Sequence, residues 1–174
     1  VRVALEKVGG QYQGAVFPFI RPLASASFST AFDQEGRLWI GSVGRGWTTG
    51  DPMVEVITFD KRNAPFEMQR IELTESGFDI HFTQPMAAGQ RVRDQISIKR
   101  FHYLYWAEYG SDRQDYESVE LQSLDLSSDR KVLSIGLRLE QNKIYEMDLG
   151  PIKSASGIEL KNNFAYYTLN ELLK

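Results

Sequence analysis

Cysteine is missing from all 174 residues. Its absence excludes disulfide staples, thiolate metal sites and cysteine nucleophiles together, and it leaves the compartment open. No apolar run approaches the length needed to cross a bilayer as a helix. There is no acceptor triplet for N-glycosylation, and no secretory signal pattern opens the chain. A surplus of basic residues is lacking too: 20 Lys and Arg stand against 23 Asp and Glu, a net charge of −3, so no basic face for nucleic acid is expected. Amphipathic helix periodicity is absent from every stretch of ten residues, and only the terminal "LNELLK" has helical character. The first residue is valine, and "VRVALEKV" already reads as a strand, so the chain is expected to begin inside a longer polypeptide.

What is present is period-2 alternation cut by turn chemistry. "VRVALEKV" (1–8) and "AVFPFI" (15–20) flank "GGQYQG". "SFSTAFD" (27–33) meets "RLWIGS" (37–42) across "QEG", a hairpin with its glycine where a positive φ is wanted. "MVEVITFD" follows a glycine-rich loop, and strand patterns then recur to "KIYEMDL" (143–149), about eleven in all. The chain is therefore expected to be all-β. Charge, asparagine and proline in "DKRNAPF" (60–66) mark a connector. The part before it is read as one four-stranded propeller blade, and the part after it as an immunoglobulin-like sandwich of about seven strands. The expected division is a four-stranded, propeller-blade-like sheet over residues 1–62 packed on an Ig-like β-sandwich over 63–174.

The segments "LEKVGGQYQGAVFPF", "FDQEGRLWIGSVGRGW" and "NAPFEMQRIELTESGFDIHFTQP" resemble the C-terminal region of bacterial glucose/sorbosone dehydrogenase-like β-propeller proteins. "YLYWAEYGS", "VELQSLDLSSDRKVLSIGL" and "KIYEMDLGPIKSASGIEL" are similar to the bacterial Ig-like domain that follows such propellers. The resemblance covers nearly the whole chain and implies an origin in an exported sugar-handling or cytochrome-linked protein. The family's quinone-binding and base residues, which lie on earlier blades, have no match here. C-x-x-C-H is absent, so no cofactor is expected in this chain.

Candidate sites follow from residue chemistry. The loop "GSVGRGWTTGD" (41–51) has glycines in the wrong order for a dinucleotide fingerprint and no helix behind it. It reads either as an inter-strand loop or as a presentation of Arg45 and Trp47 to a sugar or partner. His81 shares a solvated strand face with Asp79 and Thr83, opposite Phe78, Ile80 and Phe82. His102 has no second ligand at metal spacing. Asp112, Asp115 and Glu117 could gather around calcium but lack the EF-hand glycine and spacing, so a solvated loop is the plainer reading. No carboxylate pair is selected by a motif, and "SASGIE" is not a nucleophile elbow.

The stretch "FHYLYWAEYGSDRQDY" (101–116) raises the main question. As a continued strand it would set Phe101, Tyr103 and Tyr105 on one face and His102, Leu104 and Trp106 on the other. Both faces would then want cover. One reading packs this row against the first sheet. The alternatives are an aromatic platform for polysaccharide, made of Tyr103, Tyr105 and Trp106 together with Trp47, or a contact with another protein.

The expected function is a non-catalytic accessory module at the end of an exported propeller protein, periplasmic or secreted, mediating domain or protein contacts. A carbohydrate-binding module is the alternative. Expected partners are the remainder of a larger protein, a polysaccharide or protein, and a second copy through the uncovered blade. Nucleic acid and a membrane span are not expected.

Overall fold

The computed structural model describes residues 1–44 and 50–173. It is all-β, with thirteen strands in three antiparallel sheets among the described residues. The chain divides into two compact units, Val1–Phe19 with Pro65–Lys174, and Ile20–Ala64.

In the first unit a six-stranded and a four-stranded sheet enclose one core. The larger sheet contains β1 (Arg2–Val8), β2 (Gln11–Phe17), β8 (Ser97–His102), β9 (Gln114–Ser118), β12 (Lys143–Asp148) and β13 (Phe164–Leu169). Their spatial order is β1-β2-β13-β12-β8-β9. The smaller sheet contains β6 (Met68–Thr74), β7 (Gly77–Phe82), β10 (Leu121–Leu126) and β11 (Val132–Leu137), in the order β10-β11-β7-β6. Alternation selects the buried faces. Phe78, Ile80 and Phe82 of β7 are buried, as are Leu133, Ile135 and Leu137 of β11. Tyr145, Met147 and Tyr167 answer from the larger sheet. Phe78 bridges the layers, its ring centroid 5.2 Å from Tyr145 and 4.8 Å from Tyr167. The Tyr145 hydroxyl accepts from Glu140 N at 2.6 Å, which ties the β11–β12 connection to the core.

The outer faces differ. On the smaller sheet the outward residues include Arg70, Glu72, Asp79, His81 and Ser134. His81 Nε2 lies 2.6 Å from Glu72, and Arg70 donates to the same carboxylate at 2.8 Å. The Arg70 hydrogen bond, helped by the His81 charge, holds Glu72 below the usual carboxylate range. On the larger sheet the outward face carries Val3, Leu5, Phe101, Ile144 and Tyr166.

The expected four-stranded sheet over residues 1–62 is corrected by this topology. β1 and β2 form a hairpin, as the short glycine turn requires, but the hairpin extends the larger sheet through β2–β13 pairing. Val8, Ala15 and Phe17 enter the common core. Side chains reinforce the placement. Buried Gln13 accepts from Asn170 N (3.0 Å) and Glu171 N (2.8 Å) and donates to the Tyr167 hydroxyl (3.0 Å). Tyr167 in turn donates to Glu6. Arg2 donates to the carbonyls of Met68 and Gln69, while Glu6 accepts from Leu73 N, so β1 satisfies the free edge of β6. Gly14 permits the close approach of the two hairpin strands. Its φ is +146°, and a Cβ there would fall 2.1 Å from the Ala4 carbonyl oxygen.

The second unit is a three-stranded sheet, β3 (Ala26–Phe32), β4 (Leu38–Val43) and β5 (Val54–Ile57), in the order β3-β4-β5. Every residue of β3 is exposed, and Ile40 is the one fully buried hydrophobic residue among the described residues of this unit. Phe28, Phe32, Val54, Val56 and Phe59 all stand exposed. The β3–β4 turn is tightly organised, with Gly36 at φ +76°. Asp33 accepts from the backbone N–H groups of Glu35 and Arg37, from Arg37 Nε at 2.7 Å and from Trp39 Nε1 at 2.7 Å. The indole hydrogen bond first, then those from Arg37 and Glu35, hold the Asp33 carboxyl well below the carboxylate range.

Two outcomes follow. Gln13→Leu should leave the Asn170 and Glu171 N–H groups unpaired in the interior and destabilise the protein by about 1–3 kcal/mol, as read by urea denaturation. Asp33 is depressed in the folded state, so its contribution is present above the unfolded value of about 3.9 and is lost as pH falls through the still lower folded value. The Trp39 indole N–H resonance should therefore keep its position through acidification to about pH 4 and shift only below it. In Asp33→Asn the response of this resonance to acid should disappear.

Candidate functional site

β8 keeps its strand pairing only while partners last. Phe101 faces Ile144 on β12, and the pairing with β9 carries a bulge between Arg100 and His102. The strand ends at His102, and residues 103–113 leave the sheet as a loop before β9 begins. The continued strand expected over 103–106 is therefore corrected. Of the readings weighed for this row, exposure beyond His102 disfavours packing: Tyr103, Leu104, Trp106 and Tyr109 are exposed, and Tyr105 is wholly so.

Beneath the loop lies a packed layer on the outer face of the larger sheet. Phe101 is only 1% exposed although it points away from the main core. Tyr103, Tyr116 and Tyr166 meet its ring edge-to-face at centroid distances of 5.2, 5.9 and 6.3 Å. The Arg113 guanidinium lies over Phe101 at 4.7 Å and over Tyr116 at 5.1 Å. Its Nη1 donates to Glu146 Oε2 at 2.6 Å, and its Nη2 to the Tyr166 hydroxyl at 3.0 Å. Tyr116 donates to Glu146 Oε1 at 2.7 Å. Each oxygen of the buried Glu146 carboxylate thus has a donor, which is what a carboxylate removed from water requires.

The loop above is braced by its own hydrogen bonds. Trp106 Nε1 donates to the Gly110 carbonyl at 2.6 Å, and Leu104 N donates to Ser111 Oγ at 3.0 Å. Gly110 takes φ +81°, closing the turn. With the indole N–H satisfied internally, the Trp106 ring is positioned without using a ligand. Tyr103, Leu104, Tyr105, Trp106, Glu108 and Ser111 line an open groove of about 460 Å³, within the size range of small-molecule sites, roughly 300–1,000 Å³.

The flanking ionisable groups are paired. Lys143 Nζ lies 3.1 Å from Asp115 and 3.1 Å from His102 Nδ1. Its hydrogen bond and charge hold Asp115 below the usual carboxylate range. Glu117 accepts from Arg100 at 2.7 Å. Asp115 and Glu117, weighed for calcium, are thus each engaged with a base. No group of three His, Cys, Asp or Glu side chains able to hold a metal occurs among the described residues.

The structure brings Tyr103, Tyr105 and Trp106 together on one loop, whereas Arg45 and Trp47 lie outside the described residues. Sequence reasoning missed Tyr109, Arg113, Tyr116, Glu146 and Tyr166. The signals available were the density of tyrosine in 101–116 and a glutamate set between Tyr145 and Met147. Comparison with family models, with curated proteins and with solved structures found no match to this chain. Fold and site together define an all-β protein whose larger sheet displays a braced aromatic loop.

Arg113→Met should strand the Glu146 carboxylate and cost about 1–3 kcal/mol. Adding Glu146→Gln should recover part of that loss. A double-mutant cycle by urea denaturation reads the coupling, and additive losses would show the two residues to be independent.

Proposed function

We propose that this chain is a non-catalytic accessory module of an exported, sugar-dehydrogenase-like propeller protein, acting in the periplasm or outside the cell by making contacts. The Ig-like description of residues 65–174 is supported by strand order. Taken from β6 onward, one sheet reads first-second-sixth-fifth and the other eighth-seventh-third, with the fourth as an added edge strand beside the third. That is the arrangement of immunoglobulin-type sandwiches. Tyr145, near the start of the seventh strand and bonded back to the Glu140 backbone, stands where such sandwiches carry a tyrosine corner. A blade-like role for the three-stranded sheet is supported by its exposed Phe28, Phe32, Val54 and Val56. A sheet with so little buried surface needs cover from another body. The remainder of a parent protein or a second copy supplies it.

The observation that carries a binding role is the exposure of Tyr103, Tyr105, Trp106 and Tyr109 on one internally braced loop. Exposed rings held in place offer stacking area at low entropic cost. Pyranose rings present apolar C–H faces to stack on them and hydroxyls for the polar rim. The module accordingly binds carbohydrate through the β8–β9 loop. In native gels containing soluble polysaccharides, at least one polymer should retard the chain. The double variant Tyr105→Ala/Tyr109→Ala should migrate as it does in plain gel while retaining the wild-type melting curve. Absence of retardation by every polymer tried, or unchanged retardation of the variant, would refute the carbohydrate reading.

A further inference from the structure

We infer that the β8–β9 loop selects a neutral polysaccharide over an acidic one, an assignment that rests on the carbohydrate reading above and narrows it to a ligand class. Among the described residues the groove lining contains one ionisable carboxylate, Glu108, and no base. The base nearest in sequence, Arg113, is turned under the loop, where both terminal nitrogens are taken by Glu146 and Tyr166. Lys143 is likewise engaged by Asp115 and His102, and Lys99 lies over the Tyr116 ring. Among the described residues no cation is left in the groove to receive a uronate or sulfate, while Glu108 repels either. A neutral sugar meets no such cost. Its ring faces stack on Tyr105 and Trp106. Its hydroxyls donate to the Glu108 carboxylate in charge-assisted hydrogen bonds, the stronger kind. A carboxylate beside aromatic rings therefore acts as both an anchor for hydroxyl groups and a filter against anions.

The test is affinity electrophoresis of the full chain in three sets of gels. One set holds neutral galactomannan, xyloglucan or mixed-linkage β-glucan, the second alginate or polygalacturonate, and the third chitosan oligomers. Each is run at low salt and at roughly 0.5 M salt, where exposed charges are screened within a few ångströms. Expected is retardation by a neutral polymer that survives high salt, with none by the acidic polymers. Glu108→Gln should weaken neutral binding a few-fold, and Tyr105→Ala by about tenfold. Glu108→Lys should newly admit the acidic polymers at low salt. Because Tyr105 and Glu108 are loop residues of the exposed surface, their variants should keep the native melting curve. Retardation only by acidic polymers or only by chitosan would overturn the neutral assignment while leaving carbohydrate binding in place. So would acceptance of acidic polymers by the unmodified chain at the neutral strength. Retardation by no polymer of any class would remove both.

Discussion

A carboxylate set into the covered part of a sheet face governs the surface of this molecule. Glu146 sits between Tyr145 and Met147, both of which point into the main core, so alternation directs it to the opposite side of the larger sheet. There it is buried, and a buried carboxylate must find donors. Arg113 at the end of the β8–β9 loop and Tyr116 on β9 supply them. Phe101, Tyr116 and Tyr166 lie against the guanidinium, and Tyr103 meets the Phe101 ring edge-on. The loop is thus fixed at its C-terminal root by a polar demand and along its floor by aromatic packing. Its exposed rings are left with little freedom to collapse onto the protein.

The two outer faces of the sandwich follow different rules. The smaller sheet presents Arg70, Glu72, Asp79 and His81, a polar row in which Glu72 meets both Arg70 and His81. The larger sheet presents aromatic and aliphatic side chains, capped at one end by the loop and exposed at Val3 and Leu5 at the other. Water solvates the first face readily. The second is suited to contact with another surface, and the proposed ligand site lies at its end.

Much of the architecture was legible in the chain because it is local. Phe78, Ile80 and Phe82 alternate with polar residues, and such a pattern fixes both strand and face. "QEG" sets its glycine at positive φ, as the hairpin requires. Partner choice was not legible. "VRVALEKV" alternates equally well in either sheet, and its placement is decided by Gln13, Glu6 and Tyr167, residues some 160 positions apart. Tyr103, Tyr105 and Trp106 were legible as candidates, but the choice between packing and exposure was not, because alternation presumes that the strand continues. It stops where the ladder with β12 and β9 gives out. Glu146 was invisible for the opposite reason, since a glutamate at an outward position ordinarily reads as solvated.

The β1–β2 hairpin joins the sandwich by its ladder to β13 and by the Gln13 contacts, and residues 20–64 intervene in the chain as a separate unit. The cohesion of the hairpin with the sandwich is therefore non-covalent in character. A nick anywhere within 20–64 would yield two pieces that hold together as a complemented pair. The same segment is the natural place for the chain to accept inserted length, because neither lengthening nor cutting it touches the ladder that joins first strands to last.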